Sequence, residues 1–308
     1  MLGAYRGAAG VCRGASLGQK ACKTAAMTAG ASGSGRARCA HVTAASGGAA
    51  AGGPPAPRPL PDLTSVRGML FDIDGTLTNS DPLHFLAFQE ILVEVGFDGG
   101  RPISEDFFRS RISGHHNPEI AADLFPEWSV EQHVAFYTDK EQRFRDLAGS
   151  KLQRMPGLTE WIAWLRGRGV RMAAVTNAPR ANTELMLAAL GLDAEFEHVV
   201  LGEDCPRAKP HPDPYLRAME LIGVAPHEAL VVEDSPAGLR AAVAAGVPAV
   251  GITTGQPRDV LVAAGACLLV DDFTGLLGVA LQHASGDESD AAAAPPPPAV
   301  AGAVEVRS

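Results

Sequence analysis

Short apolar runs alternate with longer stretches of helical periodicity along the middle of this chain. The short runs predict strands at about 66–71, 170–175, 199–201, 229–232 and 249–252. A first helix is predicted to begin at Asp81, with Pro82 in its first turn. Further helices are predicted at about 104–112, 117–125, 129–148, 157–166, 181–190, 213–222 and 236–245. Strands that alternate with helices indicate an α/β protein, with a Rossmann-like parallel sheet core and helices on both faces.

The stretch between the first two predicted strands differs from the rest because it shows helical periodicity alone. No strand is indicated between Ser80 and Leu152. We therefore expect a small all-helical cap domain inserted after the first strand, with the site in the cleft between cap and core. The predicted organisation is a leader at 1–61, a core at 66–80 and 153–283, a cap at 81–152 and a disordered tail at 284–308.

An uneven distribution of charge sets the first 61 residues apart. The formal net charge is −9, yet residues 1–61 contain seven Lys and Arg and no Asp or Glu, so the remainder carries −16. A segment of Ala, Gly, Ser and Thr buries too little apolar surface to fold alone. Its composition indicates an organelle transit peptide, for the chloroplast in preference to the mitochondrion. A disordered tail or a wrongly assigned start codon has the same composition, and either would leave the protein in the cytoplasm.

The overall composition, 46% hydrophobic and 20% charged, is typical of a soluble globular protein. No apolar run approaches the roughly 20 residues that span a bilayer. The negative net charge argues against nucleic-acid binding. Outside the leader the cysteines are Cys205 and Cys267, so neither a disulfide framework nor a zinc site is indicated. We expect a monomer or weak dimer with neither a membrane nor a nucleic acid as partner.

Polar side chains follow the predicted strands at their carboxyl ends. Asp72 and Asp74 follow the first strand at alternate positions, so both point to the same side, and Gly75 then turns the chain. Two other strands end at Thr176-Asn177 and at Glu233-Asp234. Ligands of open parallel sheets bind at this edge. Close carboxylates repel each other, so a divalent cation, a shared proton or a lysine is expected between them. Taken alone, an acidic Asp-Gly turn has the same pattern.

Lys209, in the loop Ala208–Pro212, adds a cation to this set. Carboxylates, a hydroxyl, an amide and a lysine suit a phosphate ester together with Mg²⁺, because Mg²⁺ prefers oxygen ligands. A lysine and a hydroxyl can bind phosphoryl oxygens, and a carboxylate can attack phosphorus to form an aspartyl-phosphate. The residues therefore predict chemistry on a small-molecule phosphate ester.

Four motifs in order resemble those of the haloacid-dehalogenase-like (HAD) superfamily. They are Asp72-x-Asp74-Gly75-Thr76, Thr176-Asn177, Lys209 before Pro-His-Pro, and Glu233-Asp234-Ser235. The resemblance covers about 66–282. The helical insertion is similar to the C1-type cap of the branch that contains β-phosphoglucomutases and sugar phosphatases. Plant sugar phosphatases are especially similar over Asp72–His84 and Thr176–Pro179.

The resemblance implies a role for each motif residue. Asp72 is expected to be the nucleophile and a Mg²⁺ ligand. Asp74 is expected to be the general acid and base, with its main-chain carbonyl on the metal. Asp234 is expected to bind Mg²⁺ directly, and Glu233 to act through water. The residues expected at the phosphate are Gly75, Thr76, Thr176, Asn177 and Lys209.

Three residues, two in the motifs and one in the helical insertion, separate the reaction types within the superfamily. Dehalogenases and phosphonate-cleaving enzymes that resemble this chain lack the second carboxylate, so Asp74 favours an oxygen ester. Thr76 follows Gly75 as in many phosphatases, and Asn117 stands where the mutases carry a basic residue for a second phosphate. We expect a Mg²⁺-dependent phosphatase of small sugar or polyol monophosphates. The alternatives are a β-phosphoglucomutase-like mutase and a non-catalytic regulatory or binding protein on the same scaffold.

Three histidines near the predicted site have two interpretations, whereas His211 and a charged cluster have one each. His84 matches a hinge-region histidine of this branch, and it either contacts the site or packs between domains. His115 and His116 either contact a sugar hydroxyl, together with Asn117, or lie at a solvated helix start. His211 is expected to be structural. A solvated helix face is expected for the cluster Lys140, Glu141, Arg143, Arg145 and Asp146.

Overall fold

The computed structural model describes residues 58–149 and 151–285. The predicted leader, apart from its last four residues, and the predicted tail from residue 286 lie outside these ranges. Ala284 and Ser285, which were assigned to the tail, belong to the last helix. Within the described ranges, no helix is long and apolar enough to cross a membrane.

Six parallel strands form one sheet in the order β3-β2-β1-β4-β5-β6. Their bounds are β1 Gly68–Phe71, β2 Arg171–Thr176, β3 His198–Leu201, β4 Ala229–Glu233, β5 Ala249–Ile252 and β6 Leu268–Val270. The central strands β1 and β4 are buried along their whole length. Because β2 and β4 flank β1 on opposite sides, the strand order reverses there, and a crevice opens at the carboxyl ends.

Helices cover both faces of the sheet, since alternate strand residues point to opposite sides. Their bounds are α5 Leu158–Gly167, α6 Arg180–Leu190, α7 Asp213–Ile222, α8 Pro236–Ala244, α9 Arg258–Ala264 and α10 Phe273–Ser285. On one face Phe71 and Val232 pack with Trp161 of α5 and Phe273 of α10. On the other face, residues such as Leu70 pack with α7, α8 and α9. The predicted Rossmann-like α/β fold is confirmed.

Four helices lie between β1 and α5, and we call them the inserted helices. They are α1 Asp81–Glu94, α2 Glu105–Arg111, α3 Asn117–Leu124 and α4 Val130–Ala148. They have an apolar cluster of their own, in which Phe88, Phe108 and Phe136 are buried. Helices α2 and α4 are capped by the residues directly before them, Ser104 and Ser129, whose hydroxyls accept the main-chain N–H three residues on.

Most predicted elements lie within one or two residues of their predicted bounds. The segments α9, β6 and α10 have no counterpart among the predictions from periodicity. Strand β6 has only three residues, two of them partly exposed, because it is an edge strand. Helix α9 has only seven residues. Strand β6 and helix α9 therefore carry too few apolar positions to establish a period, but α10, with 13 residues, is not short and its absence from the prediction is an error.

Candidate active site

A buried lysine joins two carboxylates at the carboxyl edge of the sheet. Lys209 Nζ donates to Asp72 Oδ1, to Glu233 Oε1 and to the main-chain oxygen of Val175, each at 2.7 Å. Its side chain is only 3% exposed. An ammonium group has three protons, so these contacts use all of its donors. The ammonium group of Lys209 thereby links the carboxyl ends of three neighbouring strands, β1, β2 and β4, by hydrogen bonds.

Glu233 has its full set of hydrogen-bond donors. Oε1 accepts from Lys209 and from the Tyr215 hydroxyl, and Oε2 accepts from the N–H and the hydroxyl of Ser235. Gly238 in the first turn of α8 leaves the space that this carboxylate fills, since a Cβ at that position would overlap it. Glu233 is completely buried. It therefore holds Lys209 and has no free acceptor position for a direct ligand.

Asp234 contrasts with its neighbour because it accepts no hydrogen bond from the described residues. Burial raises the pKa of Asp234 well above its usual value, and the charges of Asp72 and Glu233 raise it further. Burial also raises the pKa of Asp72, against the lowering effect of Lys209. The pKa of Lys209 lies above its usual value, because the charges of Asp72 and Glu233 outweigh burial. Lys209 contacts two of these three carboxylates, Asp72 and Glu233, so the group has an excess of negative charge.

Those three carboxylates can hold a cation. Asp72, Glu233 and Asp234 each present an oxygen within 4.8 Å of the others. Since Glu233 is saturated, Asp72 and Asp234 are the side chains with unfilled acceptor positions. An all-oxygen set with excess negative charge fits a hard divalent cation. Gly75, with a φ of +74°, lets the chain turn beside Asp234, where a side chain would overlap that carboxylate.

Asp74 is held on one of its two carboxylate oxygens. Oδ1 accepts from the Ser80 hydroxyl at 2.7 Å and lies 3.2 Å from His84 Nε2. Lys140 Nζ lies 3.3 Å from the other ring nitrogen of His84, and the ring stacks on Phe144 at 3.9 Å. Because the ammonium of Lys140 can only donate, Nδ1 of His84 accepts its hydrogen bond. Nε2 then carries the ring proton and donates a hydrogen bond to Asp74. Oδ2 of Asp74 accepts no bond from the described residues.

A cavity of about 170 Å³ lies between these strand ends and the inserted helices. Most of the predicted site residues line it, namely Asp72, Asp74, His84, His115, His116, Asn117, Thr176, Asn177, Lys209 and Asp234. Gly75 and Thr76 do not line it, and the fully buried hydroxyl of Thr76 has no hydrogen-bond partner in the part of the chain that the structure describes. His115 is exposed at the mouth, with Nδ1 3.3 Å from the main-chain oxygen of Ser113. Thr176 Oγ1 accepts the N–H of Ala178 at 2.9 Å.

The charged cluster of α4 is only partly a solvated face, so that expectation is corrected. Lys140 and Glu141 are buried, at 3% and 5% exposure. Glu141 accepts from Lys140 at 2.6 Å, from Asn117 at 2.7 Å and from Asn182 of α6 at 2.5 Å. This network joins the inserted helices to the core beside the cavity. Asn182 and the Lys140–Glu141 pair were missed because charged and amide residues at helical spacing are usually exposed.

Comparisons with known proteins agree with this geometry. The family model of haloacid dehalogenase-like hydrolases matches residues 69–252. A phosphorylated carbohydrates phosphatase of Thermotoga maritima is 28% identical over 212 residues, covering 67% of this chain and 94% of that protein. A phosphoglycolate phosphatase of Pseudomonas putida is 30% identical over 240 residues, covering 72% and 83%. The crystal structure of CbbY from Rhodobacter sphaeroides in complex with phosphate has a TM-score of 0.60 at 28% identity, covering 68% and 96%.

The parallel sheet, the acidic strand ends and these relatives define an enzyme of the phosphoric monoester hydrolase class, a phosphatase. The chain belongs to the haloacid dehalogenase-like hydrolases, whose family model spans more than half of it.

Proposed function

We propose that this protein is a Mg²⁺-dependent phosphatase of small sugar or polyol monophosphates, with Asp72 as nucleophile. Asp72 Oδ1 is fixed by Lys209, and Oδ2 accepts no bond from the described residues. One carboxylate oxygen is therefore oriented while the other is free to attack phosphorus. The attack forms the bond from Asp72 to phosphorus and breaks the bond from phosphorus to the sugar oxygen.

Asp74 acts as acid and then as base. Ser80 and His84 both contact Oδ1, which leaves Oδ2 to carry the transferred proton. The leaving alkoxide takes this proton from Asp74. Asp74 then takes a proton from a water whose oxygen attacks phosphorus, which releases inorganic phosphate and restores Asp72.

The proposed Mg²⁺ ligands are the side chains of Asp72 and Asp234 and the main-chain carbonyl of Asp74. Bound there, the cation would neutralise phosphoryl oxygens and offset the repulsion among the carboxylates. The Thr176 hydroxyl is the proposed donor to a remaining phosphoryl oxygen. Lys209, whose three donors are occupied by protein acceptors, would stabilise the phosphoryl group through its positive charge.

The charge of the cavity wall carries the proposal for the substrate class. Five carboxylates line the cavity, namely Asp72, Asp74, Asp81, Glu141 and Asp234, against the two lysines Lys140 and Lys209. Both lysines are already paired with carboxylates. A second phosphate or a carboxylate on the leaving group would meet uncompensated negative charge. A neutral leaving group with hydroxyls fits instead, because Ser113 is the only donor to Asp81 among the described residues and one oxygen of Asp81 can accept from a sugar hydroxyl.

The same wall favours a phosphatase over a mutase. A mutase has to hold a bisphosphate intermediate, which needs a cation away from the reacting phosphate. Asn117 donates to Glu141 at the position where that cation is expected, and Lys140 is bound to the same carboxylate.

Import into the chloroplast stays a prediction, tested by a reporter fused to residues 1–61.

Phosphate release from a panel of esters tests this function. The full chain is assayed with Mg²⁺ against hexose, pentose and polyol monophosphates, 2-phosphoglycolate and a sugar bisphosphate. We expect kcat/KM for the best neutral monoester to exceed that for 2-phosphoglycolate at least tenfold, roughly the discrimination expected from one unfavourable charge contact. Preference for phosphoglycolate or the bisphosphate would contradict the assignment of the substrate class.

A matched pair of variants links that preference to the cavity wall. Asp81→Asn should lower the ratio of kcat/KM for the best neutral monoester to kcat/KM for 2-phosphoglycolate, because it removes one negative charge from the cavity wall. Asp193→Asn makes the same change at an exposed position away from the cavity and should leave the ratio unchanged. A ratio that is the same in both variants would show that Asp81 has no part in selecting the leaving group.

A further inference from the structure

The side chain of Lys209 is fixed, but its main chain belongs to a loop. Lys209 lies between a short 3-10 turn at Gly202–Asp204 and helix α7. The three contacts of Nζ, all 2.7 Å, tolerate little displacement of the backbone that carries it. Whatever holds this part of the loop therefore also sets the position of the ammonium group.

Asn177 holds the main chain of Lys209 from the core. Its Oδ1 accepts the Lys209 N–H at 3.2 Å, and its Nδ2 donates to the Lys209 carbonyl at 3.1 Å. The amide thus pairs with both main-chain groups of one residue, as a neighbouring strand would. Gly202 packs against this amide, since a Cβ there would overlap Asn177 Oδ1. Asn177 directly follows β2, so the anchor is rigid.

His116 reaches the same carbonyl from the inserted helices. Its Nε2 lies 2.6 Å from the Lys209 oxygen. Because a carbonyl oxygen only accepts, Nε2 of His116 carries the proton and donates it in this hydrogen bond. Asn177 Nδ2 lies 3.0 Å from Nε2 because both groups donate to the same Lys209 oxygen. His116 directly precedes α3, and the next residue, Asn117, is tied to buried Glu141. The donor is therefore held firmly on its own side of the cleft.

We propose that His116 is a positioning residue that fixes the Lys209 loop from across the cleft, in concert with Asn177. The inference rests on the proposed function, in which the positive charge of Lys209 stabilises the transferred phosphoryl group. The contact joins the inserted helices to the loop, so the lysine is fully oriented only when those helices lie against the core. His116 acts on the phosphoryl group through Lys209, and its effect is independent of the leaving group.

Kinetics on two esters test this role. His116→Phe removes the donor but keeps a ring, and His116→Gln places an N–H near the position of Nε2. The matched control is His211→Phe, the same substitution at an exposed histidine in the same loop. Each protein is assayed with its best sugar phosphate and with p-nitrophenyl phosphate, which has no sugar hydroxyl. We expect His116→Phe to lower kcat about tenfold for both esters with KM nearly unchanged, and His116→Gln to recover most of the loss.

Hydrogen exchange gives a second measurement that does not depend on turnover. Peptides covering 203–212 should take up deuterium faster in His116→Phe than in the wild type or in His211→Phe. A kinetic loss confined to the sugar phosphate would identify His116 as a substrate contact and overturn the proposal, as would unchanged exchange in this loop. If the wild type hydrolyses no ester, the proposed function fails, and faster exchange in His116→Phe alone still supports the anchoring of the loop.

Discussion

Glu141 provides the sharpest test of the buried network between the inserted helices and the core. Its carboxylate receives hydrogen bonds from Lys140, Asn117 and Asn182 within 2.7 Å. Glu141→Gln keeps the shape of the side chain but removes the charge that balances Lys140. The new amide also places donors against the Asn182 or Asn117 amide, which is itself a donor. We expect a large loss of stability from a change of one atom.

The magnitude follows from the pKa of this carboxyl. Burial alone would raise the pKa of Glu141, but the charge of Lys140 and its hydrogen bonds lower it to about 2, from 4.5. At about 1.4 kcal/mol per pKa unit, the ionised form contributes about 3 kcal/mol to the free energy of unfolding at pH 7. Because the folded pKa is the lower one, this contribution is complete above the unfolded pKa and declines between about pH 4.5 and 2. About 2 kcal/mol remains at pH 3.5.

Urea unfolding followed by circular dichroism, from pH 7 down to pH 3.5, measures this contribution. The difference in unfolding free energy between wild type and Glu141→Gln should shrink as the pH falls below 5. Glu220→Gln, at an exposed glutamate paired with Arg217, makes the same chemical change and should match the wild type throughout. Equal stabilities of Glu141→Gln and wild type at pH 7 would refute the reasoning, and so would a difference that does not vary with pH.

Three further predictions concern the catalytic edge of the sheet. Asp72→Asn should slow phosphate release at least a thousandfold with an unchanged Tm, because an amide is no nucleophile; turnover near the wild-type rate would exclude this role. EDTA should abolish activity, and Mg²⁺ should raise the Tm of the wild type but not of Asp234→Asn; equal shifts would contradict Asp234 as a ligand. Gly238→Ala should lower kcat at least tenfold by displacing Glu233, which steady-state kinetics measure. Gly278→Ala, at a position with open space around it, should stabilise α10 by up to about 1 kcal/mol, which thermal unfolding measures.

The sequence predicts the sheet and its acidic edge well because both depend on local patterns. Short buried strands have strong apolar runs, and polar residues directly after them mark the carboxyl ends. Asp72 directly follows β1 and Glu233 ends the adjacent strand β4, and both contact Lys209, a pairing that was not predicted. The position of the acidic edge can therefore be predicted from the sequence once the order of the strands in the sheet is known.

The network around Glu141 could not be predicted in the same way. Its partners Asn117 and Asn182 are 24 and 41 residues away along the chain. Helix α4 is rich in charge, and such helices usually face solvent. Only the packing of α4 against α1, α3 and α6 buries this part of it. Burial that arises between elements leaves no periodic signal within either of them.

Asn177 shows how a correct strand end can still leave a side chain's partner open. Thr176 and Asn177 are consecutive at the end of an extended segment, so their side chains leave the backbone in different directions. The Thr176 hydroxyl turns back to the Ala178 N–H, while both ends of the Asn177 amide engage the main chain of Lys209. Spacing places both residues near the phosphate site but does not distinguish contact with phosphate from support of the lysine. Lys209 is the only lysine bound to Asp72 among the described residues, so we expect a change in the support of its loop to affect the proposed catalysis.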